Sequence, residues 1–217
     1  MKMPRALVNA FGVGVLAASA VAAGVWGVGL WKYDGTPGAA ALPPEQWPAN
    51  SRVARQAGLP TLVLLAHPKC PCTRATVGEL ARLMTVCQGK VRTTVMVTLP
   101  AGTAAGWEKT DLWNSAAEIP GVTVATDEAG REARLFGAST SGQALLYSAE
   151  GKLLFAGGIT ESRGHSGDNA GESALIELIQ GRDTPATGAA AQAPVYGCSL
   201  FDRSSATQEE GCTACRK

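Results

Sequence analysis

The sequence predicts an α/β domain, a mixed sheet with helices on both faces, carried behind an N-terminal transmembrane helix. Three observations predict it. Short apolar runs alternate with amphipathic stretches between residues 51 and 181. The last two runs are joined by a turn too short for a crossover, so an antiparallel hairpin closes the series. Finally, residues 6–31 contain no charge.

That N-terminal run follows Lys2 and Arg5 and precedes Lys32 and Asp34. At ~1.5 Å per residue it reaches roughly 39 Å, enough to cross ~30 Å of hydrocarbon with some tilt. Trp26 and Trp31 lie near its far end, where interfacial aromatic anchors are expected. The basic head should stay in the cytoplasm, which puts the remainder on the outer side. Ala18-Ser19-Ala20 offers a second reading, a cleaved signal peptide. Apolar character continues past Ala20, which favours the anchor. Both readings export the domain.

Residues 32–50 contain Pro37, Pro43, Pro44, Pro48, Gly35 and Gly38, and read as a spacer. The run 62–66, bounded by Pro60 and Pro68, has the pattern of a buried strand. Over 73–87, Val77, Leu80, Leu83, Met84 and Cys87 share one helical face. Residues 91–99, rich in Val and Thr, read as a second strand. Residues 102–120 are irregular, with a short helix expected over 107–113. A third strand is expected at 122–125, and a short helix at 128–136 that Gly137 stops. Strands 144–147 and 152–156 make the hairpin around Glu150-Gly151. Asn169, with Glu172 three residues on, caps a helix that runs to Gln180 and ends at Gly181. The order is β-α-β-(α)-β-α-β-β-α. Residues 182–217 read as an Ala/Thr/Pro/Gly linker with a cysteine-containing tail. The folded domain is therefore expected over 51–181, after an anchor at 1–31 and a linker at 32–50.

Composition narrows the function. Lys and Arg number 19 against 18 Asp and Glu, a formal net charge of +1, which argues against a nucleic-acid binder. Apolar residues make up 46 %, enough for a core. Six cysteines, Cys70, Cys72, Cys87, Cys198, Cys212 and Cys215, sit in a chain bound for an oxidising compartment, where unpaired thiols do not persist by default. Their pairing cannot be chosen from sequence.

The densest chemistry is His67-Pro68-Lys69-Cys70-Pro71-Cys72-Thr73-Arg74, where the first strand gives way to a helix. A thiol there meets the positive end of the helix dipole and free backbone N–H groups, and Lys69 and Arg74 add charge. Pro71 suits the first helical turn. A Cys-x-Cys disulfide closes a tight ring, strained and hence oxidising. Two thiolates on one turn also suit a soft metal, Cu(I) or Zn. A plain structural bridge is disfavoured, because so small a loop stabilises little. Cys87 reads as a core residue. Cys198 is a candidate resolving thiol, third metal ligand or tethering disulfide, and the Cys212/Cys215 pair could relay electrons as a resolving pair, capture metal or form a local disulfide. Arg216 stands where covalent haem attachment needs His.

The stretch TLVLLAHPKCPCTRATVGELARL resembles the thioredoxin-like superfamily, as does RLFGASTSGQALLYSAEGKLLFAGGI further on. If Pro71 and Cys72 match the superfamily's Pro and second Cys, Lys69 occupies the first-cysteine position and Cys70 is displaced by one. Gly142 stands where thioredoxins have a cis-proline. More narrowly, AHPKCPC with GGITESRGHSGDNAG and YGC is similar to membrane-anchored or exported bacterial members of RedB type.

The resulting expectation is a thioredoxin-like, single-pass protein of the bacterial inner membrane with its soluble domain facing the periplasm. It acts there as a thiol–disulfide oxidoreductase on protein thiols or disulfides. Cys70 and Cys72 carry the exchange, Lys69 and Arg74 favour the thiolate, and no cofactor is needed. The alternative is a copper-binding chaperone or assembly factor that uses Cys70 and Cys72 with His67 and His165.

Overall fold

The computed structural model describes residues 5–182 and 189–201. It divides into two units, 1–36 and 37–217. The first is the helix α1 (Arg5–Asp34), and its stretch 11–34 is long and apolar enough to cross a membrane.

The second unit is organised around β1 (Thr61–Ala66), all six residues of which are buried. A strand apolar on both faces needs cover on both, so it takes the centre of a sheet. β1 pairs in parallel with β2 (Arg92–Leu99) and antiparallel with β4 (Gln143–Tyr147). Beyond β2 lies β3 (Val122–Glu128), in parallel. Beyond β4 lie β5 (Leu153–Gly157) and the two-residue β6 (Ala191–Gln192). The order is β3-β2-β1-β4-β5-β6.

Successive side chains of a strand point to opposite faces, which divides the core in two. Leu62, Leu64 and Ala66 face α2 (Pro71–Val86), α3 (Asp111–Ala117) and α5 (Ala170–Ile179), meeting Leu80, Leu83, Leu112 and Leu175. Val63 and Leu65 face α4 (Arg131–Leu135) and its neighbours Phe136 and Trp47. Each buried Leu or Val contributes roughly 1.5–3 kcal/mol through removal from water. Cys87 is buried in the first of these clusters, as its place on the helix predicts. Asn169 caps α5 by accepting a 2.8 Å bond from Glu172 N.

Three element boundaries differ from the sequence reading. The helix expected over 107–113 forms four residues later as α3, where Thr110 Oγ1 donates to Pro68 O at 2.9 Å and fixes the chain entering the helix. β3 runs on to Glu128, because Val97–Leu99 of β2 offers partners that far. The next helix therefore starts at Arg131.

The expected spacer over 32–50 is not one beyond residue 36. Gly38 N donates to Val195 O at 2.8 Å and Leu42 N to Gly137 O at 3.0 Å. Tyr147 Oη donates to Pro44 O at 3.0 Å, and Trp47 lies edge-on to Phe136 and Tyr147. The stretch is held chiefly through its backbone, which composition does not reveal. The expected linker after 182 is corrected too. Residues 191–192 add a strand, and Val195 and Leu200 are buried. Together residues 193–201 form a strap that returns to the carboxyl end of β1.

Candidate active site

β1 has a parallel neighbour on one side and an antiparallel one on the other. At such a switch in connectivity a crevice opens beyond the strand's carboxyl end. Residues 67–70 turn there, with Cys70 N donating to His67 O at 3.1 Å. Cys70 is the N-cap of α2, Pro71 is its first residue, and Cys72 follows. The strand-to-helix placement read from the sequence is the one the chain adopts.

Both sulfurs of the turn are buried. Cys70 is 1 % exposed and Cys72 7 %. The strap lies against Cys70. Cys198 N donates to Cys70 Sγ at 3.4 Å. The strap is pinned by Ser141 N donating to Cys198 O at 2.8 Å, by Leu200 N to Ser139 O at 2.9 Å, and by Arg163 Nη1 to Gly197 O at 2.6 Å. Gly197 lies so close to Ser141 that an added Cβ would stand 1.9 Å from its carbonyl oxygen. Only glycine fits there.

The Sγ atoms of Cys70, Cys72 and Cys198 all lie within 4.8 Å of one another. Their acidities differ. Burial works against ionisation of Cys70, but the Thr73 hydroxyl, the Cys198 backbone and side chain, and the Thr73 backbone outweigh it and hold the thiol below its ordinary value. Burial and the neighbouring Cys70 charge raise Cys72, although Arg163 opposes them. Burial, and a bond given to Cys70, push Cys198 up to about 12. One sulfur of the three is thus the readiest thiolate, and it is Cys70.

A hydroxyl pair stands behind it. Ser141 Oγ accepts from His67 N at 2.8 Å and lies 2.6 Å from Thr73 Oγ1. With Ser141 as donor in that pair, the Thr73 hydrogen stays available to Cys70. Gly142 N, next along, donates to Leu65 O at 2.8 Å, which locks this loop to β1.

Lys69 and Arg74 are engaged elsewhere. Lys69 Nζ sits 4.3 Å over the Trp107 ring, and Arg74 pairs with Asp111 at 2.8 Å in the open. Neither is among the groups that lower Cys70. Neither histidine falls within the group of three sulfurs. His67 turns its ring edge-on to Trp107, and Lys69 N donates to its Nδ1 at 3.3 Å. His165 is exposed, its Nδ1 2.9 Å from Arg163 O. Among the described residues, the metal-competent group is Cys70, Cys72 and Cys198 alone. Cys212 and Cys215 lie outside the described residues.

Thr73, Ser141 and Arg163 were not legible as site residues. Thr73 had one signal, its place in the first helical turn one residue after Cys72. The other two come from loops brought in by the sheet, and no spacing announces them.

No protein-family model and no curated protein matches the sequence. Solved structures do. An uncharacterized conserved protein from Geobacillus kaustophilus is similar at a TM-score of 0.53 and 20 % identity, over 78 % of this chain and 93 % of that one. A hypothetical protein from Sinorhizobium meliloti 1021 is similar at 0.52 and 19 %, over 76 % and 93 %. The domain shares its fold with these two proteins, and its mixed sheet is the one the resemblance to the thioredoxin-like superfamily implies. A secreted disulfide oxidoreductase from Mycobacterium tuberculosis is similar at 0.41 and 14 %, over 58 % of this chain and 83 % of that one. Against the thioredoxin-like pattern, this chain carries Cys-Pro-Cys at the helix start, and no cis peptide occurs among its described residues.

Proposed function

We propose that this thioredoxin-like protein is a thiol–disulfide oxidoreductase, tethered by α1 to the bacterial inner membrane with its domain in the periplasm. The observation that carries the reading is Cys70 at the N-cap of α2, with donors from Thr73 and Cys198 directed at its sulfur. Lys2 and Arg5 ahead of the apolar run support the orientation.

The chemistry is a two-step exchange. Cys70 thiolate attacks one sulfur of a partner disulfide. A Cys70–partner bond forms, and the partner's other sulfur leaves as thiolate. Cys72 then loses its proton and attacks Cys70 Sγ, releasing the partner's second sulfur. The partner has gained two electrons, and Cys70 and Cys72 have become a disulfide. The reverse sequence oxidises a partner dithiol. The lowered Cys70 and raised Cys72 favour attack by the first and resolution by the second. Residues 195–200 must lift for a partner to reach Cys70.

Trapping tests this. Cys72→Ser should accumulate a mixed disulfide through Cys70, and Cys70→Ser should accumulate none. The reading fails if neither variant captures a partner and the wild type neither reduces nor oxidises a model disulfide.

A further inference from the structure

Three thiols converge from two segments 128 residues apart, and the sulfurs do not hold the convergence together. The strap carrying Cys198 is fixed by backbone bonds from Ser141 and to Ser139, by Arg163, and by the close approach of Gly197 to Ser141. The position of Cys198 is thus set before any bond among the sulfurs forms. Exchange through Cys70 and Cys72 does not require a third sulfur. The arrangement suits another task.

A metal–sulfur length of roughly 2.3 Å places the three sulfurs of a trigonal-planar site about 4 Å apart. The sulfurs here lie within 4.8 Å of one another, so each pair needs only a small contraction. No imidazole or carboxylate among the described residues joins them. Zinc prefers four tetrahedral ligands, whereas three thiolates without a fourth donor suit a soft, low-coordinate cation such as Cu(I). Cys70 and Cys72 are buried and Cys198 is half-buried, which limits the access of water as a fourth ligand. Three thiolates and one Cu(I) carry a net charge of −2, which the Arg163 guanidinium beside Cys72 and the N-terminal end of α2 offset in part.

We propose that Cys70, Cys72 and Cys198 form a trigonal site for one Cu(I) ion, with the strap supplying the third ligand and closing the site. Binding is a ligand exchange without change of oxidation state: Cu(I) replaces the thiol protons, which pass to solvent. The site goes beyond the exchange reaction, since it needs Cys198 and the exchange does not.

The test uses the full chain in detergent, reduced and free of oxygen, with Cys212→Ser and Cys215→Ser so that the terminal pair takes no metal. The probe is Cu(I), offered in competition with bathocuproine disulfonate. One Cu(I) per chain should be retained. Cys198→Ser should weaken retention by at least ~10-fold, since loss of even an outer partner of a ligand costs about 10–100-fold in metal affinity. His67→Ala and His165→Ala should leave it unchanged. X-ray absorption should give sulfur neighbours only. No retention, an unchanged affinity in both Cys198→Ser and Cys198→Ala, or a nitrogen ligand overturns the proposal. Mixed-disulfide trapping in Cys72→Ser separates the two readings. Trapping without copper removes this proposal alone, and copper with neither trapping nor turnover of a model disulfide removes the oxidoreductase reading alone.

Discussion

Gly197→Ala is the sharpest probe of the strap. The new Cβ would stand 1.9 Å from Ser141 O, 2.9 Å from Ser141 C and 3.3 Å from Thr140 Cγ2. Real Cβ atoms essentially never come under 3.0 Å, so the strap must retreat by about 1 Å or more. The Ser141 N to Cys198 O bond, now 2.8 Å, would then pass out of bonding range, and the Arg163 bond to Gly197 O and the Cys198 bond to Cys70 Sγ would stretch with it. Each lost bond costs roughly 0.5–1.5 kcal/mol net, so two or three cost about 2–3 kcal/mol. That multiplies the ratio of open to closed strap by roughly 30–150. Iodoacetamide labelling of Cys70, followed by peptide mass mapping across pH, reads the open population. The plateau rate at high pH should rise at least ~10-fold. The midpoint should move upward, because the Cys198 donor is withdrawn from the sulfur. Core helices and sheet lie elsewhere, so the far-ultraviolet circular dichroism should not change. An unchanged plateau rate in a folded variant would refute the argument that the strap is what shields Cys70.

Other substitutions test other parts. Thr73→Val keeps shape and removes the hydroxyl that favours Cys70 thiolate, so the thiolate absorbance near 240 nm should titrate at higher pH; an unmoved midpoint would remove Thr73 from the site. Glu172 faces Glu79, Asp168 and Arg82, and burial and the Glu79 charge raise it from 4.5 to about 7. Between those values the folded chain keeps a proton that the unfolded chain releases, so this group's contribution is complete below pH 4.5 and is lost as pH rises to 7. At this buried site the loss is about 3 kcal/mol. Urea midpoints at pH 5 and pH 8 should show it in the wild type and not in Glu172→Gln, and equal slopes in both would be inconsistent with it. Leu146→Ala, in the core facing α2, should cost about 2–5 kcal/mol by urea unfolding, and a cost under ~1 kcal/mol would mean that the site collapses around the deletion.

Periodicity carried most of the fold. β1 has apolar residues on both faces and became the central strand, and the face marked by Val77, Leu80 and Leu83 is the one α2 buries. The Asn169 and Glu172 pair located the start of α5. The stretches at 37–50 and 189–201 were illegible because Pro, Gly and Ala pack there through main-chain bonds, which leave no hydrophobic period. The same cause hid half of the site. Cys70 and Cys72 were legible from a turn and a helix start, which are local. The approach of Cys198, Ser141 and Arg163 depends on how loops at one end of the sheet settle against each other. Lys69 and Arg74 are near the sulfurs in sequence, yet Trp107 and Asp111 take them first.

The two residues of β6 bear on how copies of this domain meet. A sheet's outermost strand presents unpaired N–H and C=O groups that can template a neighbouring molecule, and short strands blunt that hazard. By laying Ala191–Gln192 along Phe155 and Ala156, the chain masks a far more apolar rim with a fringe too brief to recruit another molecule.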